Sequence, residues 1–144
     1  MNYIRMSEKD LDIIASLYLK YYNENEEGSW TFEKAYKRIR QVLFTPDSYC
    51  LIQEINGVYT GFLMGYIKEY DDLKSYFLEE IVVFKEYQNK GLGSLFLKEL
   101  ESHLLEMDVS LIELISVNDK KHINFYEKFL FVKGSNLMIM SKFI

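Results

Sequence analysis

The chain has 144 residues, the length of a single domain at roughly 150 residues per domain. Its 17 Lys and Arg against 22 Asp and Glu give a net charge of −5, which argues against a dedicated nucleic-acid binder with a basic face. One cysteine and two histidines supply neither an intramolecular disulfide nor a zinc-finger ligand set.

With 49% hydrophobic residues and one proline, the composition argues against disorder. Met1 to Arg5 does not read as a signal peptide, and no apolar run approaches the roughly 18 residues of a membrane span. The expectation is a soluble, cytoplasmic, globular domain, 1–144, with no membrane or nucleic-acid partner. Its acidity is concentrated. Residues 23–27 hold Glu24, Glu26 and Glu27 with no cation, and residues 69–80 hold Glu69, Asp71, Asp72, Glu79 and Glu80 against Lys74 alone.

Tyr3 to Met6 reads as a short first strand. Ser7 and Asp10 form a capping-box pattern, followed at helical spacing by Leu11, Ile14, Ala15, Tyr18, Leu19 and Tyr22. The polar stretch Asn23 to Ser29 ends that helix. Thr31 is placed to cap a second helix that buries Phe32, Ala35, Tyr36, Ile39, Val42 and Leu43 and stops before Pro46. Two β-rich runs, Tyr49–Ile55 and Val58–Ile67, flank Asn56-Gly57, the strongest short hairpin signal because both residues tolerate positive φ.

Beyond an acidic loop, Tyr76 to Phe84 is an apolar strand interrupted only by Glu79 and Glu80. A long amphipathic helix carries Leu92, Leu95, Phe96, Leu100, His103 and Leu104. Then come a buried strand, Ser110–Ser116, and a helix, Asp119–Phe129. Two last strands follow, Phe131–Lys133 and Leu137–Phe143, around Gly134-Ser135-Asn136. The order β-α-α-β-β-β-α-β-α-β-β predicts an α+β fold with a mixed sheet of about seven strands and four helices.

The chemistry concentrates in Glu80 to Ser94, EIVVFKEYQNKGLGS. A strand ends, and a Gln-x-x-Gly-x-Gly segment opens a helix. Gly91 and Gly93 admit close approach of an anion, and the N–H groups from Lys90 to Ser94 with the positive helix end can cradle it. The dinucleotide fingerprint does not fit, since Phe96 stands at the third glycine position. Nor does a Walker A loop, which needs a Gly-Lys-Ser/Thr closure. On spacing alone, an ordinary turn in which the glycines only permit tight geometry accounts for the segment equally well.

Glu79 to Leu100 resembles the acetyl-CoA-binding motif of the GNAT N-acetyltransferase superfamily. Ser116-Val117-Asn118 and then Asn124-Phe125-Tyr126-Glu127-Lys128 resemble that superfamily's N…FYEK segment. One departure stands out: Leu130-Phe131 occupies the place where the family usually has Gly-Phe. The resemblance implies the acyl-CoA N-acyltransferase fold and acetyl-CoA as co-substrate. It implies that Gln88, Asn89, Lys90, Gly91, Leu92, Gly93 and Ser94 hold the pyrophosphate. The backbone of Ile81, Val82 and Val83 would pair with the pantetheine arm, to which Asn118 would also donate. Tyr126 would be the general acid for the departing sulfur, a role suited to a phenol of ordinary pKa ≈ 10.

Glu79 and Glu80, adjacent on a strand, should point to opposite faces, so one of them should face the cleft as base or amine-binding group. Glu79 is slightly favoured and Glu80 kept as the alternate. The implied reaction is direct acetyl transfer to a primary amine of a small cationic substrate. Trp30-Thr31 and the closing Met138-Ile139-Met140-Ser141-Lys142 loosely resemble aminoglycoside 6'-N-acetyltransferase-like members. Protein or peptide N-acetylation and a non-catalytic CoA-binding module are the alternatives. The last apolar strand leaves a homodimer open.

Overall fold

A computed structural model describes all 144 residues. The chain forms two compact units, Met1–Leu114 and Ile115–Ile144. The first unit holds a five-stranded sheet in the order β1 (Asn2–Arg5), β2 (Leu51–Ile55), β3 (Val58–Glu69), β4 (Lys74–Val83), β5 (Leu111–Leu114). Neighbouring strands are antiparallel except for the parallel β4–β5 pair. The hairpin signal is realised, with Asn56 at φ 51° and Gly57 at φ 79°.

Helices α1 (Leu11–Asn25), α2 (Phe32–Leu43) and α3 (Leu92–Glu106) complete this unit. At the start of α1, Asp10 accepts the Ser7 N–H at 2.9 Å across a short 3₁₀ turn, and Thr31 Oγ1 caps α2 by accepting from the Lys34 N–H at 3.2 Å. Ile14, Ala15 and Tyr18 of α1 and Ala35, Ile39 and Val42 of α2 share one core with Ile52, Phe62, Met64 and Val82 of the sheet. Burying each large apolar side chain in this layer contributes about 1.5–3 kcal/mol. Alternation sends Leu51, Gln53 and Leu63 to the other face, where the fully buried Gln53 amide donates to the Leu92 carbonyl of α3 at 3.1 Å and accepts from Thr60 Oγ1 at 3.0 Å.

The second unit contains α4 (Lys120–Glu127), capped by Asp119, which accepts from the His122 N–H at 2.8 Å. The two closing strands predicted at Phe131–Lys133 and Leu137–Phe143 are absent, so the sheet has five strands rather than about seven. Their strand-like composition finds no ladder, and backbone extension without a partner is not a strand. Leu137 through Met140 are exposed. Leu130 takes φ 67°, the left-handed conformation that the family's usual glycine would adopt without a Cβ penalty. No helix is long and apolar enough to cross a membrane.

Candidate active site

Two carboxylates converge where alternation predicts they should diverge. In the β3–β4 ladder Met64 pairs with Glu80 and Gly65 with Leu78, so Glu79 is an extra residue without a partner. This is a β-bulge, which bends the strand and resets which side each residue addresses. Gly65 makes it possible. A Cβ there would lie 2.2 Å from the Phe77 carbonyl oxygen and 2.6 Å from the Tyr76 hydroxyl. Glu79 and Glu80 consequently both reach Arg38 of α2, and the expectation that only one faces this side is corrected.

The two carboxylates differ in surroundings. Glu79 Oε2 receives Arg38 Nη2 at 3.1 Å. Glu80 lies deeper. Tyr22 donates to its Oε1 at 2.6 Å, Tyr18 lies 3.1–3.2 Å from both oxygens, and Arg38 Nε sits 3.5 Å from Oε2. Burial raises the Glu80 pKa above the ordinary carboxylate range, against the opposing pull of the Tyr22 hydrogen bond, the Arg38 charge and the Tyr18 hydrogen bond. Burial, and then the neighbouring Glu80 charge, push the Tyr18 and Tyr22 phenols well above their usual value. Both therefore remain protonated donors. Burial pulls the Arg38 guanidinium down, but its hydrogen bond to Glu79 and the Glu80 charge outweigh that and hold it up. Burial and an upward pKa shift thus separate Glu80 from the more exposed Glu79, the kind of perturbation that marks candidate functional carboxylates.

Past Leu78, β4 has no β5 partner, because the parallel pairing runs only from Ser75↔Leu111 to Leu78↔Leu114. Glu80 to Val83 thus pair with β3 on one side only, leaving the other backbone edge open along Ile81, Val82 and Val83. The Val82 side chain is buried in the core, so only its backbone is available there.

The glycine loop follows. Asn89 (φ 61°) and Gly91 (φ 78°) are both left-handed, and nothing lies within 4 Å of the position a Gly91 Cβ would take. The first helical hydrogen bond of α3 runs from Leu95 N to the Gly91 carbonyl. The N–H groups of Leu92, Gly93 and Ser94 therefore have no partner within the helix. Lys90 is exposed beside them. Gln88 is not a free donor: its amide binds the Val83 carbonyl at 2.8 Å and the Tyr21 hydroxyl at 3.0 Å. Its part is to join the end of β4 to α1.

In the second unit, Asn118 is exposed ahead of α4 and makes no side-chain hydrogen bond within the protein. Tyr126 packs edge-on against Phe125 and Phe131, at ring-centre distances of 5.1 and 5.5 Å. Burial raises the phenol pKa, so it carries its proton at neutral pH.

Cys50, His103 and Trp30 are held by structural contacts. The buried Cys50 thiol is pushed up to about 11 by burial. His103 bonds Tyr49 and, at 3.0 Å, Glu99. Trp30 stacks edge-on against Tyr18 while the Asn23 side chain clamps its backbone at 2.8 Å, so it serves the helix junction.

A mixed sheet with a bulged strand left half-unpaired, leading into a glycine-opened helix, defines the class of acyl-CoA acyltransferase folds. The chain belongs to the acetyltransferase (GNAT) family, whose sequence pattern matches residues 11–131, and it is an N-acetyltransferase. No curated protein matches the sequence. Among solved structures, a probable acetyltransferase superposes with a TM-score of 0.82 at 17% identity, over 100% of this chain and 98% of its own. A predicted acetyltransferase with acetyl-CoA from Clostridium acetobutylicum superposes with a TM-score of 0.75 at 14% identity, over 97% and 95% of the two chains. The aminoglycoside acetyltransferase meta-AAC0020, from an uncultured soil metagenomic sample and in complex with sisomicin, gives 0.74 at 13% identity, over 99% and 95%.

Proposed function

We propose that this chain transfers the acetyl group of acetyl-CoA directly to a primary amine of a small cationic substrate of the polyamine or aminoglycoside type. The observation that carries the reading is Glu80, a carboxylate of raised pKa at a bulge, hydrogen-bonded by two protonated phenols. It stands on the stretch of β4 that lies past the last β5 pairing, within the open edge.

The residues present fit the co-substrate. The space over Gly91, the first-turn N–H groups of α3 and the exposed Lys90 suit a pyrophosphate. The open β4 edge at Ile81 to Val83 suits an amide-bearing arm that adds like a strand. When bound, acetyl-CoA supplies an activated thioester carbonyl.

The acceptor enters as an ammonium, and Glu80 attracts it and takes one proton, leaving a neutral nitrogen with a free lone pair. The new C–N bond forms as the C–S bond breaks, and the nitrogen then sheds its second proton, which restores the one that the phenol gives up to the sulfur. Tyr126 is assigned the proton delivered to the sulfur, on the strength of its place in the FYEK segment and its protonated phenol.

Thiol release from acetyl-CoA, measured against a panel of polyamines, aminoglycosides and peptides, tests the proposal. Release with the small cations and not with peptides is the expected result. Release with none, while acetyl-CoA still binds, refutes the enzyme role in favour of a CoA-binding module. Tyr126→Phe should lower kcat roughly 10²-fold with acetyl-CoA affinity kept. An unchanged kcat removes the general-acid assignment.

A further inference from the structure

Of the chain's 17 lysines and arginines, Arg38 alone pairs with a carboxylate, and it pairs with the two beside the bulge. Its placement follows from α2. Ala35, Ile39 and Val42 bury one stripe of that helix, and residue 38 lies at the stripe's edge, from which a long side chain reaches across the sheet. One guanidinium straddles both acids, with Nη2 3.1 Å from Glu79 Oε2 and Nε 3.5 Å from Glu80 Oε2. The side chains of Arg38, Glu79 and Glu80 are only 32%, 24% and 17% exposed, so an uncompensated charge among them is costly.

Two ionised carboxylates and one guanidinium leave a single negative charge. One ammonium brings the cluster to neutrality, and moving its proton to Glu80 leaves that sum unchanged. A second cation in the same space would overshoot by a full charge.

We propose that Arg38 is a positioning residue that sets the charge of the acceptor, leaving the bulge site matched to one ammonium and biased against an acceptor that brings two into it. The inference rests on the acetyl-transfer reading for the identity of the guest but not for the charge balance itself. The groups facing Glu80 are Tyr18 and Tyr22 from α1, Arg38 from α2 and Glu79 from its own strand. Removing the one cation among them raises the Glu80 titration midpoint as well as opening room for a second ammonium.

The test compares 1-butylamine with 1,4-diaminobutane, two probes of one chain length, in the unmodified protein, Arg38→Gln and Arg38→Lys. Calorimetry gives binding of each amine, and a carbon NMR titration follows the Glu80 carboxyl. In Arg38→Gln the diamine-to-monoamine affinity ratio is expected to rise about tenfold, the scale of one compensated, partly exposed charge, and the Glu80 midpoint to move up. Arg38→Lys, which restores the charge, keeps both near the unmodified values. A general loosening of structure moves neither the ratio nor the midpoint in this pattern.

An unchanged ratio in Arg38→Gln, an equal change in Arg38→Lys, or failure of both amines to bind Arg38→Gln overturns the inference. Absence of thiol release with either amine counts against the acetyl-transfer reading instead, and the binding ratio still decides the role of Arg38.

Discussion

Replacing Tyr22 by Phe removes one oxygen and leaves the ring, whose contacts to Tyr18 and Tyr21 at 4.6 and 5.2 Å between centres are retained. What is lost is a 2.6 Å hydrogen bond from the phenol to Glu80 Oε1. A hydrogen bond to a charged group contributes about 1.5–3 kcal/mol, and Glu80 is mostly buried, so little screening reduces it. For a chain of this size about 2 kcal/mol corresponds to a fall in Tm of about 6 °C.

The loss should depend on pH. The bond favours the ionised carboxylate, so its full value applies above the raised pKa of Glu80 and shrinks at pH 4, below both the folded and the unfolded values. Thermal unfolding of the protein and of Tyr22→Phe at pH 8 and pH 4 measures this directly. The same variant should move the acid limb of kcat/KM to higher pH, because a group that holds the Glu80 pKa down has gone. Equal destabilisation at both pH values would mean that Tyr22 contributes packing alone, and the reasoning about Glu80 would fail with it.

Three further variants are informative. Glu80→Gln should cut kcat/KM by about 10²–10⁴ in the thiol-release assay, with Glu79→Gln costing far less. Because burial raises the Glu80 pKa, its ionised form opposes folding and its stabilising contribution is lost as pH rises through that value; Glu80→Gln should therefore be more stable relative to the parent at pH 8 than at pH 4. Gly91→Val forces a β-branched residue to φ 78° and should both lower Tm, by about 1–2 kcal/mol of strain, and weaken acetyl-CoA binding in calorimetry. Leu130→Gly, at an exposed left-handed position that packs little, should stabilise the chain by up to about 1 kcal/mol, read as slower proteolysis beyond residue 127.

The elements that a period or a turn signature encodes were legible in the sequence. The hairpin at Asn56-Gly57, the caps at Asp10 and Thr31 and the apolar stripes of α1 to α3 all follow from residues within one or two turns of each other. The conformation of the glycine loop was legible for the same reason, since glycine and asparagine announce the left-handed backbone seen at Asn89 and Gly91.

What was not legible depends on distant partners. Strict alternation divides Glu79 from Glu80, and only the register against Met64 and Gly65 reveals the inserted residue that brings them together. Tyr18 and Tyr22 read as the apolar stripe of α1, and nothing in the spacing tells that their hydroxyls end on a residue some sixty positions later. Arg38 is one of several cations on α2, separable from Lys34, Lys37 and Arg40 only by where α2 lies on the sheet. The two closing strands were read from composition, whereas a strand is a relation between segments, and residues 131–144 make no such pairing.

The Gln53 amide, clasped between Thr60 and the first residue of α3, bears on the timing of order in the anion cradle. It ties the start of that helix to the first hairpin, so the loop's backbone freedom is surrendered when the sheet forms. If the loop holds a pyrophosphate as proposed, the polyanion would meet amides already aimed, and its association would carry little of the ordering entropy that a floppy loop adds to each encounter. On the proposed reading of that loop, cofactor affinity would be partly decided at a buried glutamine of the neighbouring hairpin.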